Sequence, residues 1–177
     1  MGAQTESTEK TLYDYQLEDL SKIFKCLEES PDDVNLLYQL PTGGGKTVVF
    51  SEIARRYIRY KKKKVVVLTH RIELSVQTSN MLSGFGVRNK VINSDVKELD
   101  ENESYECYVA MVETLNNRLQ DKAIELEGVG LVIIDEAHYN SFRKLFKYFE
   151  KSVILGVTAT PSITDFSKYL KSFRNEL

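Results

Sequence analysis

The chain has 177 residues, 42% hydrophobic and 28% charged, which suits one globular domain burying roughly 70% of its unfolded surface and excludes a disordered polymer. Its net charge of −2 excludes a dedicated duplex-coating protein, so any nucleic-acid contact must be a local patch. Cys26 and Cys107 lie far apart without a His or Cys at metal-ligand spacing, which excludes a zinc site or disulfide framework and points to a reducing cytoplasm.

Residues 1–10, MGAQTESTEK, are polar and read as a disordered tail, not a secretory signal. Residues 11–177 read as a single domain. Glu6 stands where an N-terminal lipidation motif wants Ser or Thr. Leu17, Leu20, Phe24 and Leu27 recur at helical spacing until Ser30-Pro31-Asp32-Asp33 stops the helix. A strand is expected over residues 35–40, then a glycine-rich loop, then a helix over 48–60. That helix ends in a run of cations: Arg55, Arg56, Arg59 and the four lysines 61–64. The run is a candidate polyanion patch, but cations at a helix C-terminus also complement the dipole and face water, and this bland reading is favoured.

A strand over 64–69 leads to a helix over 73–82, which Gly84-Phe85-Gly86 ends. Weaker strands are expected at 87–92 and 107–111, then a helix over 113–122, a strand at 130–134, a helix over 141–150 and a strand at 153–157. The runs VVVL, LVII and VILGV do not alternate with polar residues, as in strands buried on both faces of a parallel sheet. This alternation predicts an α/β doubly wound domain with ligands beyond the carboxyl ends of the strands. No apolar stretch approaches the roughly 18 residues that would span a membrane.

Two segments carry the chemistry. In LLYQLPTGGGKT, residues 36–47, three glycines let backbone N–H groups converge on an anion at a helix N-terminus. Thr42, Gly43, Gly44 and Gly45 would cradle the phosphates, Lys46 would reach the β/γ-phosphates, and the Thr47 hydroxyl would sit on Mg²⁺. Leu40 occupies the place of the first glycine in the strict pattern, and a merely flexible glycine loop is the bland alternative. In LVIIDEAH, residues 131–138, a buried strand delivers two carboxylates at its carboxyl end. Asp135 could hold Mg²⁺ through water, while Glu136 could orient and deprotonate the attacking water. An Asp-Glu pair after a strand is often only a solvated loop; the Lys-Thr loop 89 residues upstream argues for chemistry. His138 has no metal-binding companion.

PTGGGKT, DEAH and Thr158-Ala159-Thr160-Pro161, each after an expected strand, resemble motifs I, II and III of superfamily 2 helicases and translocases. Leu68-Thr69-His70-Arg71 with Leu74 and Gln77 resembles motif Ia, and AMVETL, residues 110–115, resembles motif Ib. The flavour is nearer the XPB, UvrB and restriction-enzyme motor branches than the DEAD-box RNA helicases. The resemblance implies a P-loop RecA-like three-layer αβα domain with a mainly parallel central sheet, using ATP and Mg²⁺. Tyr13-Asp14-Tyr15-Gln16 resembles the glutamine motif, which implies that Gln16 reads adenine; Tyr13 and Asp14 replace the usual Arg and Pro. It further implies that His138, Thr158 and Thr160 couple the γ-phosphate to the nucleic-acid surface, and that Arg71 and Thr114 touch the phosphate backbone. Plain helix N-terminal positions remain the alternative for those two.

The expected partner is nucleic acid, DNA favoured over RNA, although these motifs meet phosphates and the 2′-OH is read elsewhere. Superfamily 2 motors close two RecA-like domains around ATP, and the second brings arginine fingers worth roughly 10³–10⁵ in rate in related reactions. The chain ends about 16 residues after Pro161, so it reads as the N-terminal half of such a motor, weakly active without its partner domain. The alternative is a catalytically silent nucleic-acid-binding or interaction module with the same fold; a clamp-loader or transporter ATPase would lack the Thr-Ala-Thr-Pro block.

Overall fold

The computed structural model describes residues 14–29, 35–39, 45–100, 102–135 and 143–158, with the backbone alone described at 15, 16, 26, 29, 35, 37–39, 143 and 158. The elements in chain order are α1 (Asp14–Glu29), β1 (Asn35–Gln39), α2 (Lys46–Lys61), β2 (Lys64–Thr69), α3 (Ile72–Gly84), β3 (Asn89–Ile92), β4 (Cys107–Met111), α4 (Val112–Gln120), β5 (Val129–Asp135), a 3-10 helix (Arg143–Tyr148) and β6 (Val153–Thr158). The six strands form one sheet in the order β1-β6-β5-β2-β4-β3, and every pairing is parallel.

The unbroken apolar runs explain the layering. Val65, Val66, Val67 and Leu68 are all fully buried, and their side chains alternate between two cores. Val65 and Val67 join Leu131 and Ile133 beneath residues of α1, α2 and α3, including Phe50, Ile53 and Leu82. Val66 and Leu68 join Val132 and Ile134 on the opposite face, with Leu115 of α4 and Leu145 of the 3-10 helix. Removing a Val, Leu or Phe side chain from water contributes about 1.5–3 kcal/mol, so the central strands β2 and β5 are held from both sides.

Three expectations shift. In α1 the buried stripe is Leu20, Ile23 and Leu27, while Leu17 is exposed. Residues 141–150 are expected to form an α-helix; of these the described residues, 143–150, contain a six-residue 3-10 helix and no α-helix. There Lys144, Lys147 and Glu150 are exposed at a period of three, and Leu145 and Phe149 anchor the segment in the core. The cationic run divides: Arg59, Lys62 and Lys63 are exposed, as the favoured reading has it, whereas Arg55 and Arg56 are half-buried. Arg55 and Arg56 both bind the buried carboxylate of Glu52, at 2.6–2.8 Å. The helix stops at Lys61 because Lys62 turns left-handed, at φ 57°. Among the described residues, no helix is long and apolar enough to cross a membrane.

Candidate active site

Parallel strands align their carboxyl ends, and Lys46, Asp135, Arg71, Thr114 and Thr158 lie at or just beyond those ends or at the helix start that meets them. Asp135 is the last residue of β5, one step beyond the Leu68–Ile134 register pair, and thus level with Thr69 of β2. Thr69 in turn is paired with Met111 of β4. Arg71 and Thr114 follow two and three residues past that row, where the neighbouring strands β2 and β4 run into α3 and α4. Gly45, Lys46 and Thr47 open α2, which packs across the sheet face carrying Leu131 and Ile133. Side chains alternate along β5, so Asp135 belongs to that same face.

Gly45 is the N-cap of α2 at φ 74° and ψ 40°, a left-handed conformation that a Cβ would oppose. It supplies no side-chain cap; its carbonyl accepts the first helical bond, from Val49 N–H at 3.0 Å. The N–H groups of the first turn are therefore available to an anion, in the positive end of the helix dipole. Thr47 is half-buried in that turn.

Lys46 Nζ stands 2.7 Å from Asp135 Oδ1, with the lysine side chain 25% exposed and the aspartate 4%. The approach is a charge contact without hydrogen-bond alignment: Oδ1 is buried and accepts no aligned hydrogen bond. A buried carboxylate oxygen with spare lone pairs, beside a cation and a helix N-terminus, fits a hydrated divalent cation bound together with phosphate. The two signature segments, 89 residues apart in sequence, thus meet at one point.

Arg71 is exposed and extended, at φ −134° and ψ 147°, as the N-cap of α3. Thr114 is half-buried in the first turn of α4. Gln16 lies on α1 and Thr158 ends β6 opposite Gln39 in register, with their side chains outside the description. Thr42, Gly43, Gly44, Glu136, His138 and Thr160 lie outside the described residues, as does Tyr13. Nothing in the sequence singles out Ser75, or Thr69 beyond its place in motif Ia, yet both are buried polar residues whose hydroxyls face the Arg71 carbonyl. No periodicity marks them, because the partner of each hydroxyl is set by how β2 meets α3.

A family model described as type III restriction enzyme, res subunit, matches residues 9–163. IRC3 of Saccharomyces cerevisiae, provisionally named an ATP-dependent helicase, is 31% identical over 171 residues, covering 84% of this chain and 23% of that protein. The type I restriction enzyme EcoAI endonuclease subunit of Escherichia coli is 28% identical over 162 residues, covering 85% of this chain and 19% of its own length. The chain therefore spans about a fifth of the length of these curated relatives. Among solved structures, the Sulfolobus solfataricus SWI2/SNF2 ATPase core in complex with dsDNA superposes with a TM-score of 0.68 at 18% identity, covering 90% of this chain and 35% of that one. That likeness concerns the fold.

Proposed function

The chain belongs to the type III restriction enzyme res-subunit family of superfamily 2 helicases, whose members are ATP-hydrolysing motors, and from that premise we propose that it is the ATP-binding half of a nucleic-acid-dependent DNA helicase or translocase. The observation that carries this reading is the meeting of Lys46 with Asp135 at the N-terminus of α2. Residues 42–45 and the first-turn N–H groups would wrap the phosphates, with Lys46 on the β/γ-oxygens and Gln16 against adenine. Thr47 and Asp135 would hold Mg²⁺, which when bound neutralises phosphate charge. Glu136 would take the proton of the attacking water for in-line displacement. His138, Thr158 and Thr160 would report the γ-phosphate to the track surface, where Arg71 and Thr114 contact the nucleic-acid backbone.

The partner completing the site would be a second RecA-like domain of the same parent chain, and without its arginines turnover is weak. DNA is favoured over RNA, supported by the restriction-enzyme relative. A reducing, cytoplasmic setting is part of the same reading, with Cys107 as a buried thiol.

The test is Mg-dependent phosphate release from ATP with no polymer, single-stranded DNA, duplex DNA and RNA, beside Lys46→Ala and Glu136→Gln, paired with binding of a fluorescent ATP analogue. Analogue binding that Lys46→Ala abolishes, with slow release stimulated more by DNA than by RNA, is the expected result. Undiminished binding in Lys46→Ala would overturn the phosphate site, and stimulation by RNA alone would reassign the track.

A further inference from the structure

Beneath the exposed Arg71 lies a hydroxyl relay that the proposed ATPase chemistry does not use. Thr69 Oγ1 and Ser75 Oγ are 2.6 Å apart, and both residues are buried, at 0% and 2% exposure. Each hydroxyl also faces the Arg71 carbonyl, Thr69 Oγ1 at 3.3 Å and Ser75 Oγ at 3.4 Å. The same carbonyl accepts the Ser75 backbone N–H at 3.1 Å.

Two hydroxyls carry two protons. One donates to its neighbour, and the neighbour donates to the Arg71 carbonyl, so both protons are used and the chain terminates on Arg71. Polar groups buried this deeply need partners, and here the available acceptor is the backbone of one surface residue. Arg71 is the hinge between β2 and α3: it has extended dihedrals, no side-chain cap and an exposed side chain. Without the relay, the hydrogen bond that the Arg71 carbonyl keeps among the described residues is the first helical bond of α3.

We propose that Thr69 and Ser75 are positioning residues that fix the Arg71 peptide, and thereby aim the Arg71 guanidinium at the nucleic-acid backbone. The inference rests on the reading of Arg71 as a phosphate contact. The same row of the sheet holds Asp135, so the relay sits one strand from the nucleotide site. Orienting a long cationic side chain in advance lowers the entropy lost when it grips a phosphate.

The experiment measures binding of a fluorescein-labelled single-stranded DNA, and of the same strand annealed to its complement, by anisotropy across a salt series. The proteins are wild type, Arg71→Ala, Thr69→Val, Ser75→Ala, Thr69→Ser and Arg71→Ala/Ser75→Ala, each checked by thermal melting. A lost phosphate contact reduces the salt slope by about one. The relay predicts that Thr69→Val and Ser75→Ala each weaken binding several-fold and shallow the slope as Arg71→Ala does. Thr69→Ser, which keeps the hydroxyl, retains wild-type binding, and the double variant binds no worse than Arg71→Ala alone. A residue that only supports the fold would shift melting while leaving the slope intact, and its effect would add to that of Arg71→Ala. Wild-type affinity and slope in Thr69→Val and Ser75→Ala, while Arg71→Ala is weakened, overturns the relay alone. An Arg71→Ala variant that binds like wild type, or a wild type that binds neither DNA, overturns the underlying reading of Arg71, and the relay falls with it.

Discussion

The Lys46–Asp135 contact makes a quantitative claim that needs no ligand to test. Replacing Lys46 with Ala strands a carboxylate that is 4% exposed. Breaking a buried ion pair on one side costs about 3–5 kcal/mol. Lys46 is itself a quarter exposed, so water screens the pair, and the contact lacks hydrogen-bond alignment; both reduce the expectation to about 1–3 kcal/mol. A double-mutant cycle with Asp135→Asn isolates this term from the loss of the lysine stem, since residues in contact couple and distant ones add. The assay is urea and thermal unfolding without nucleotide, where each kcal/mol corresponds to roughly 2–4 °C in a chain of this size. Lys46→Ala should destabilise the otherwise native chain, and Asp135→Asn should largely remove that penalty. Additivity of the two substitutions within about 0.5 kcal/mol would refute the pairing, and with it the closure of the two signature segments onto one site.

The other expectations concern the backbone and the buried charges. Lys62 holds a left-handed conformation at φ 57° with its N–H bonded to the Ile58 carbonyl, so Lys62→Gly should raise the melting temperature, by about 1 kcal/mol of relieved strain. A fall would mean that the lysine side chain does more than terminate α2. Gly45→Ala is the converse substitution in the same left-handed region, φ 74° at the N-cap of α2, and should cost about 1–2 kcal/mol and weaken ATP-analogue binding; unchanged melting and binding would show that the loop tolerates a Cβ. Burial raises the pKa of Glu52, but hydrogen bonds from Arg55 and Arg56 overcome it and hold the carboxyl below its usual value of about 4.5. Its folded pKa lies below the unfolded one, so its stabilisation is fully present above about pH 4.5 and is lost as pH falls through the depressed value. Glu52→Gln should therefore cost about 1–3 kcal/mol at neutral pH and flatten the acid limb of a stability–pH curve, and an acid limb as steep as wild type would exclude that role.

Much of this protein is legible in its sequence because its strands are buried on both faces. Runs such as Val65–Val66–Val67–Leu68 leave little choice but a parallel sheet covered by helices, and strands 64–69 and 107–111 fall where their residues predict. Lys46 and Asp135 are likewise marked by their neighbours: the glycine triplet before one, the apolar strand before the other. Such signals are local, written by steric permission and by hydrophobic continuity. Tertiary packing decided the rest. It exposed Leu17 in favour of Ile23, gave residues 143–148 a short 3-10 helix anchored by Leu145 and Phe149, and tied Arg55 and Arg56 to Glu52 instead of leaving them to solvent. It also set Ser75 against Thr69 beneath Arg71, a contact made where β2 meets α3. Periodicity specifies which face of an element is apolar; only the packed chain specifies which polar atom on one element finds its partner on another, because a buried hydroxyl or carboxylate is satisfied by position in space and not by position in sequence.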